Sequence, residues 1–333
     1  MKVELIYNVA WSLHWLLARL FGGITMRKIL SLLLTFAVLV TCITGCRKHK
    51  KGYDELLSPY TFDADQEMET ISEEDGVKSV YFHRGELKIY GEIYMPAGEG
   101  VFPTIVITGG SGAGIYDYQD YAKAYAEKGY VTVLYEGVGA VLGGMSDGKQ
   151  VDHTLLSHAA DLESVLHALQ KLDYVDNNNI YLWAHSAGGV SAGFVACKNP
   201  DMIAGLVLLE PRFMLNEEMK ELFPNPKKIT ASVCPRDMGV EACRELCEYN
   251  IYDMLPDYKG DVLLFVGTRS LGPGGSMPQE FSKADEKLSS CELTMVDGAD
   301  HGFKGPAANA VIDESLAYLE KQVEKRASAA GGN

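Results

Sequence analysis

One serine stands at the apex of a turn so tight that it dictates much of what this chain can become. The run Ile180-Tyr181-Leu182-Trp183 is apolar and strand-like, and Val190 to Lys198 is compatible with a helix. Between them lies Ala184-His185-Ser186-Ala187-Gly188-Gly189. A strand that passes straight into a helix through small-x-Ser-x-small holds the serine in a strained backbone conformation, and residues two places either side must be small to avoid collision. Ala184 and Gly188 meet that condition, with alanine where the commoner form of the pattern has its first glycine. This is the pattern of a nucleophile elbow, and the rest of the chain decides whether the serine is used as one.

From Val77 onward the chain alternates. Residues 80–83 and 87–95 read as two strands around a glycine-containing turn. Residues 104–107, 206–209 and 262–266 are short apolar runs of the kind buried on both faces of a parallel sheet, and 131–135, 180–183 and 293–296 read as further strands. Helical stretches separate them at 118–128, 153–172, 190–198 and 312–323. Alternation of this kind predicts a mostly parallel α/β sheet with helices on both faces. The rhythm breaks once, over residues 212–259, where two helical pieces flank Phe223-Pro224-Asn225-Pro226. The insert is too long for a crossover and too structured for a loop, so it reads as a helical lid over the carboxyl ends of the strands.

The front end belongs to another category. Met26-Arg27-Lys28 is a basic start, residues 29–43 carry no charge, and Ile43-Thr44-Gly45 precedes Cys46. That is the tripartite shape of an export signal, with an apolar core short for a membrane span. The ending resembles a bacterial lipobox, which implies a signal over residues 1–45, a lipid on Cys46 and attachment to a cell-envelope membrane. Residues 1–25, ahead of Met26, read as an over-extended start or a second hydrophobic helix. Removing residues 1–45 takes away Lys2, Arg19, Arg27, Lys28 and Glu4, leaving 26 basic against 44 acidic residues and a net charge of −18. Such a surface does not neutralise phosphates, so nucleic acid is not an expected partner. Residues 46–76 are polar, acidic and without period, and are expected to form a flexible tether; residues 326–333 are expected to be a disordered tail.

Two further segments fall where a nucleophilic serine needs them. After the strand at 104–107 comes Thr108-Gly109-Gly110-Ser111-Gly112-Ala113-Gly114, a turn whose backbone N–H groups can approach a substrate closely. The lysine of a phosphate-binding loop is missing, which favours an oxyanion hole built from the N–H groups of Gly110 and Ala187. After the last strand comes Asp297-Gly298-Ala299-Asp300-His301-Gly302-Phe303, which puts His301, alone among eight histidines, on a glycine-rich loop at the sheet edge. His185 adjoins the serine but is expected to point away from it.

Residues 77–325 resemble the α/β-hydrolase fold. Oxyanion turn, elbow and Gly-Ala-Asp-His-Gly-Phe loop follow in that family's order, and the last is similar to the dienelactone-hydrolase, esterase and acyl-thioesterase branches. The resemblance implies a Ser–His–acid hydrolase with Ser186 as nucleophile and His301 as general base, acting on a small carboxylic ester or thioester without metal or organic cofactor. The family's usual acid, an aspartate after the strand equivalent to 262–266, is replaced by Ser270 in Gly267-Thr268-Arg269-Ser270. Some members carry the acid one strand earlier, where this chain has Glu210, so Glu210 is the candidate; a salt bridge to Arg212 is its competing use. Acyl transfer or peptidase chemistry on the same residues, or a lapsed enzyme serving as a surface binding module, would use the same fold. Tyr116, Tyr118, Met145, Phe213 and Phe223 are candidates for an apolar acyl pocket. Five cysteines follow Cys46, and an exported location permits a disulfide among Cys234, Cys243 and Cys247.

Overall fold

The computed structural model describes residues 51–60, 65, 67–234 and 238–330. The expected signal and Cys46 lie outside them. One nine-stranded sheet forms the centre, in the order β1-β2-β3-β5-β4-β6-β7-β8-β9. β1 (Glu69–Glu74), β2 (Val77–Arg84) and β3 (Leu87–Tyr94) are antiparallel, and β3 pairs antiparallel with β5 (Val131–Tyr135). β4 (Phe102–Thr108), β6 (Val175–His185), β7 (Gly205–Leu209), β8 (Asp261–Gly267) and β9 (Cys291–Val296) run parallel with β5.

Alternation along the strands sends side chains to two separate cores. Val106, Leu182 and Ala184 join the core under α3 (Leu155–Leu169) and α4 (Gly188–Lys198). Ile105, Ile107 and Trp183 join the other, with Tyr121 and Tyr125 of α2 (Gln119–Glu127) and Leu316 and Leu319 of α7 (Pro306–Ala330). β4 has β5 on one side and β6 on the other, so the order of the chain reverses there, and the crevice at the carboxyl ends of β4 and β6 is where such sheets bind ligands. Register aligns those ends: Thr108 lies beside Ala184, His185 beside Leu209, and Leu209 beside Phe265.

Two expectations are corrected. The stretch at 46–76 is not a plain tether over its described part. α1 (Tyr53–Leu57) buries Leu56 and Leu57, and β1 extends the sheet. Lys51 and Tyr53 bond Glu248 and Asp257 of the insert, and Tyr60 bonds both Glu245 and Thr154, so the segment straps the insert to α3. α3 is consequently buried almost all round. The closing helix starts at Pro306 and continues to Ala330, where Arg326 donates to the carbonyls of Asn178 and Ala204, so the expected tail from 326 is helical through 330. The insert carries α5 (Leu215–Leu222) and α6 (Val240–Leu246); no disulfide joins Cys234, Cys243 and Cys247 among the described residues.

Candidate active site

The elbow has the geometry its sequence demands. Ser186 sits at φ 55°, in the left-handed region that costs a non-glycine residue strain. A Cβ on Gly188 would lie 2.3 Å from the Gly109 carbonyl oxygen, and one on Gly189 2.5 Å from Pro211 Cβ, so the turn admits no larger residue at either place. Ala184 is fully buried beneath it.

The structure brings Ser186, His301 and Glu210 together. His301 Nε2 lies 2.9 Å from Ser186 Oγ, and His301 Nδ1 lies 2.7 Å from Glu210 Oε2. The strand order explains the convergence: Ser186 and Glu210 follow the adjacent strands β6 and β7, and the loop after β9 carries His301 across the end of β8. The pair is asymmetric, with the His301 side chain 49% exposed and that of Glu210 3%. Glu210 is also held at φ 41°, and its second oxygen accepts the Gly267 N–H at 2.9 Å. Burial alone would raise the Glu210 carboxyl pKa; hydrogen bonds from His301, the Gly267 N–H and the Ser270 side chain outweigh it and hold the group below the ordinary carboxylate range. Ser270 thus supports the carboxylate whose usual place it occupies. The competing use of Glu210 is not observed: Arg212 pairs with Glu218 at 2.8 Å and with Glu280 at 3.8 Å. Asp300 shapes its loop by accepting the Gly302 N–H at 3.1 Å.

In the glycine-rich turn, the N–H expected as an oxyanion donor is engaged by a side chain. Gly110 packs against the serine, where a Cβ would lie 3.1 Å from Ser186 Cβ, but its N–H donates to the Tyr118 hydroxyl at 3.0 Å. Among the described residues, the N–H groups of Ser111 and Ala187 have no protein acceptor. Ala187 lies at the amino end of α4, whose dipole favours negative charge there. The Ser111 and Ala187 N–H groups are thus open to a ligand, and that of Gly110 is not. Which peptide of a glycine-rich turn faces the serine depends on what holds its neighbour, and here that is a tyrosine eight residues away.

Sequence reasoning also missed His185. It does point away from the serine, but into a bonded position: Nε2 lies 2.7 Å from the His301 carbonyl oxygen and Nδ1 2.9 Å from the Tyr118 hydroxyl. Burial, above all, lowers its pKa to about 4, so the ring is neutral at pH 7. The available signal was strand alternation, which places His185 on the face of Trp183 and Tyr118.

A cavity of about 240 Å³ opens between the oxyanion turn and the insert, lined by Ser111, Leu155, Leu215, Met238, Ala242 and Leu246 among others. The aromatic candidates do not line it. Phe213 is core against Tyr252, Tyr118 is buried in the hydrogen-bonded position just described, and Tyr116 and Met145 border a second cavity of about 360 Å³ with Glu92 and Glu136.

Residues 101–239, which include Ser186 and Glu210, match the family described as Serine aminopeptidase, S33. No curated protein sequence matches the chain. The solved structure of Est1E from Butyrivibrio proteoclasticus with ferulic acid bound is similar at 22% identity and a TM-score of 0.65, covering 73% of this chain and 99% of that one. Acetyl xylan esterase 1 from Thermoanaerobacterium sp. JW/SL YS485 is similar at 16% identity and a TM-score of 0.59, covering 84% of this chain and 96% of that one. Sheet order, elbow and these likenesses agree: the chain has the α/β-hydrolase fold, and residues 101–239 are similar to the serine aminopeptidase family.

Proposed function

We propose that this protein hydrolyses a carboxylic ester, or a thioester, through an acyl-enzyme on Ser186. The observation that carries the reading is the unbroken series from Ser186 Oγ through the His301 ring to the buried Glu210 carboxylate. Because Glu210 accepts from Nδ1, the imidazole keeps a proton there and presents the Nε2 lone pair to the serine. Ser186 Oγ attacks the carbonyl carbon as His301 Nε2 takes its proton. The N–H groups of Ala187 and Ser111 hold the tetrahedral oxyanion, and His301 returns the proton to the leaving alcohol or thiol. Water then repeats the cycle to release the acid.

The apolar walls of the cavity beside Ser111 suit an apolar acyl group. Est1E holds ferulic acid, an aromatic acid, and the Thermoanaerobacterium protein is named an acetyl xylan esterase, which makes esters the first compounds to assay. The protein acts, in this reading, outside the cytoplasm on a membrane, held there by lipid on Cys46; the support is the basic, apolar and Cys-terminated pattern of residues 26–46. Replacing Ser186→Ala should cut turnover of a short-chain p-nitrophenyl ester by about 10⁴-fold or more, and abolish labelling by a fluorophosphonate. A folded variant that keeps wild-type turnover ends the proposal.

A further inference from the structure

The direction of every bond around His185 can be read off. The His301 carbonyl can only accept, so His185 carries its proton on Nε2. In a neutral ring Nδ1 must then accept, so the Tyr118 hydroxyl donates to it. The same hydroxyl oxygen accepts the Gly110 N–H. One directed chain results, running from the Gly110 N–H through Tyr118 O–H and the His185 ring to the His301 carbonyl, with links of 3.0, 2.9 and 2.7 Å. The rings pack as well: His185 lies 4.9 Å from His301 between centroids, and Tyr118 meets both His185 and Trp183 edge-on.

We infer that Tyr118 and His185 are positioning residues for the acyl-transfer step, tying the oxyanion turn to the loop of the general base across the underside of the elbow. The inference rests on the ester-hydrolysis reading above. Its physical content is twofold. Holding the Gly110 N–H below the turn fixes the peptide that follows it, and so aims the Ser111 N–H to the serine's side. Holding the His301 carbonyl fixes the backbone from which the imidazole reaches Ser186. Neither residue touches the reacting atoms. Both loops are glycine-rich and would otherwise drift, and drift on the scale of an ångström costs about a hundredfold in rate.

The test compares Tyr118→Phe, His185→Leu, His185→Gln and the double variant Tyr118→Phe/His185→Leu in the full chain. The readouts are kcat and KM on p-nitrophenyl butyrate and the inhibition constant of an alkylboronic acid, which mimics the tetrahedral intermediate. Tyr118→Phe and His185→Leu are each expected to lower kcat about 10- to 100-fold with KM within twofold, and to weaken the boronate by a similar factor. The double variant should be no worse than about twice the poorer single one, because both cut one chain. His185→Gln, whose amide can still donate toward the His301 carbonyl, should recover part of the loss. Unchanged kcat in a folded Tyr118→Phe, losses that multiply in the double variant, or an effect on KM alone would each overturn the inference. Should the variants not fold, the ¹⁵N spectrum of the wild-type His185 ring decides: a neutral, Nε2-protonated tautomer supports the chain, and the Nδ1-protonated or cationic form overturns it. A wild type that a fluorophosphonate leaves unlabelled at Ser186 defeats the ester-hydrolysis reading itself, a different outcome from labelled variants with intact kinetics.

Discussion

Glu210, the acid of the proposed triad, follows β7, one strand earlier than the family's usual position. Its side chain is almost wholly buried at the end of β7, a position that would favour the protonated form, and three donors reverse that tendency. Removing the carboxylate should leave His301 without the acceptor that fixes its tautomer. Glu210→Ala is expected to lower kcat by about 10⁴-fold with little change in KM. Because the Ser270 side chain reaches the same carboxylate, adding Ser270→Asp to Glu210→Ala should restore at least about tenfold of the loss, whereas Ser270→Asp alone should add a second negative charge beside Glu210 and lower activity. Steady-state kinetics on p-nitrophenyl butyrate check both. That Ser186, His301 and Glu210 would meet was legible because each sits at a strand end with a chemical signature: small neighbours at 184 and 188, a glycine-rich loop at 301, a carboxylate closing an apolar run at 210. That the Gly110 N–H is engaged by Tyr118 was not legible. A sequence specifies that a turn is flexible, not which of its N–H groups a distant tyrosine has already engaged.

Between the residue and the fold lies the strap formed by residues 51–60. Composition hid it, since Leu56 and Leu57 are two apolar residues in a polar stretch and no period marks so short a helix. Their burial distinguishes a docked element from a tether. Leu56→Ala should cost about 2–4 kcal/mol in urea unfolding, where a tether residue would cost nothing measurable. The strap ends on Glu245 of α6, which accepts the Tyr60 hydroxyl and the Leu156 N–H. Burial raises the Glu245 pKa from 4.5 to about 7. Between those values the folded chain keeps a proton that the unfolded chain has lost, so this group's contribution falls as pH rises from about 4.5 to about 7 and is flat above. The displacement from 4.5 to about 7 corresponds to on the order of 3 kcal/mol. Glu245→Gln should therefore flatten the stability profile across that interval and raise Tm at pH 8. Thermal melts of both proteins from pH 4 to pH 8 provide the check, and an unchanged slope would exclude Glu245 as its source.

At the scale of the whole molecule, six short strand-like runs, five of them buried, with helices between them were enough to predict a covered parallel sheet. The order of the strands was not legible, because pairing depends on contacts far apart in sequence. That order matters most for the site, since it sets β4, β6 and β7 side by side and lets three loops from distant parts of the chain meet. The same scale governs where the molecule resides. Without residues 1–45 its net charge is −18, and an anionic bilayer repels such a body. The basic run Arg47-Lys48-His49-Lys50-Lys51 is too short to offset it. Attachment by charge and attachment by lipid therefore make opposite predictions. If a lipid on Cys46 is the anchor, the protein should stay with the membrane fraction through a wash in 1 M salt, where the Debye length falls to about 3 Å. It should also incorporate an alkyne-tagged fatty acid. Cys46→Ala should lose the label and shift the protein to the soluble fraction or to an uncleaved form, with ester hydrolysis by the folded body retained. Release of the wild type by salt would show that charge, rather than acyl chains, holds it to the surface.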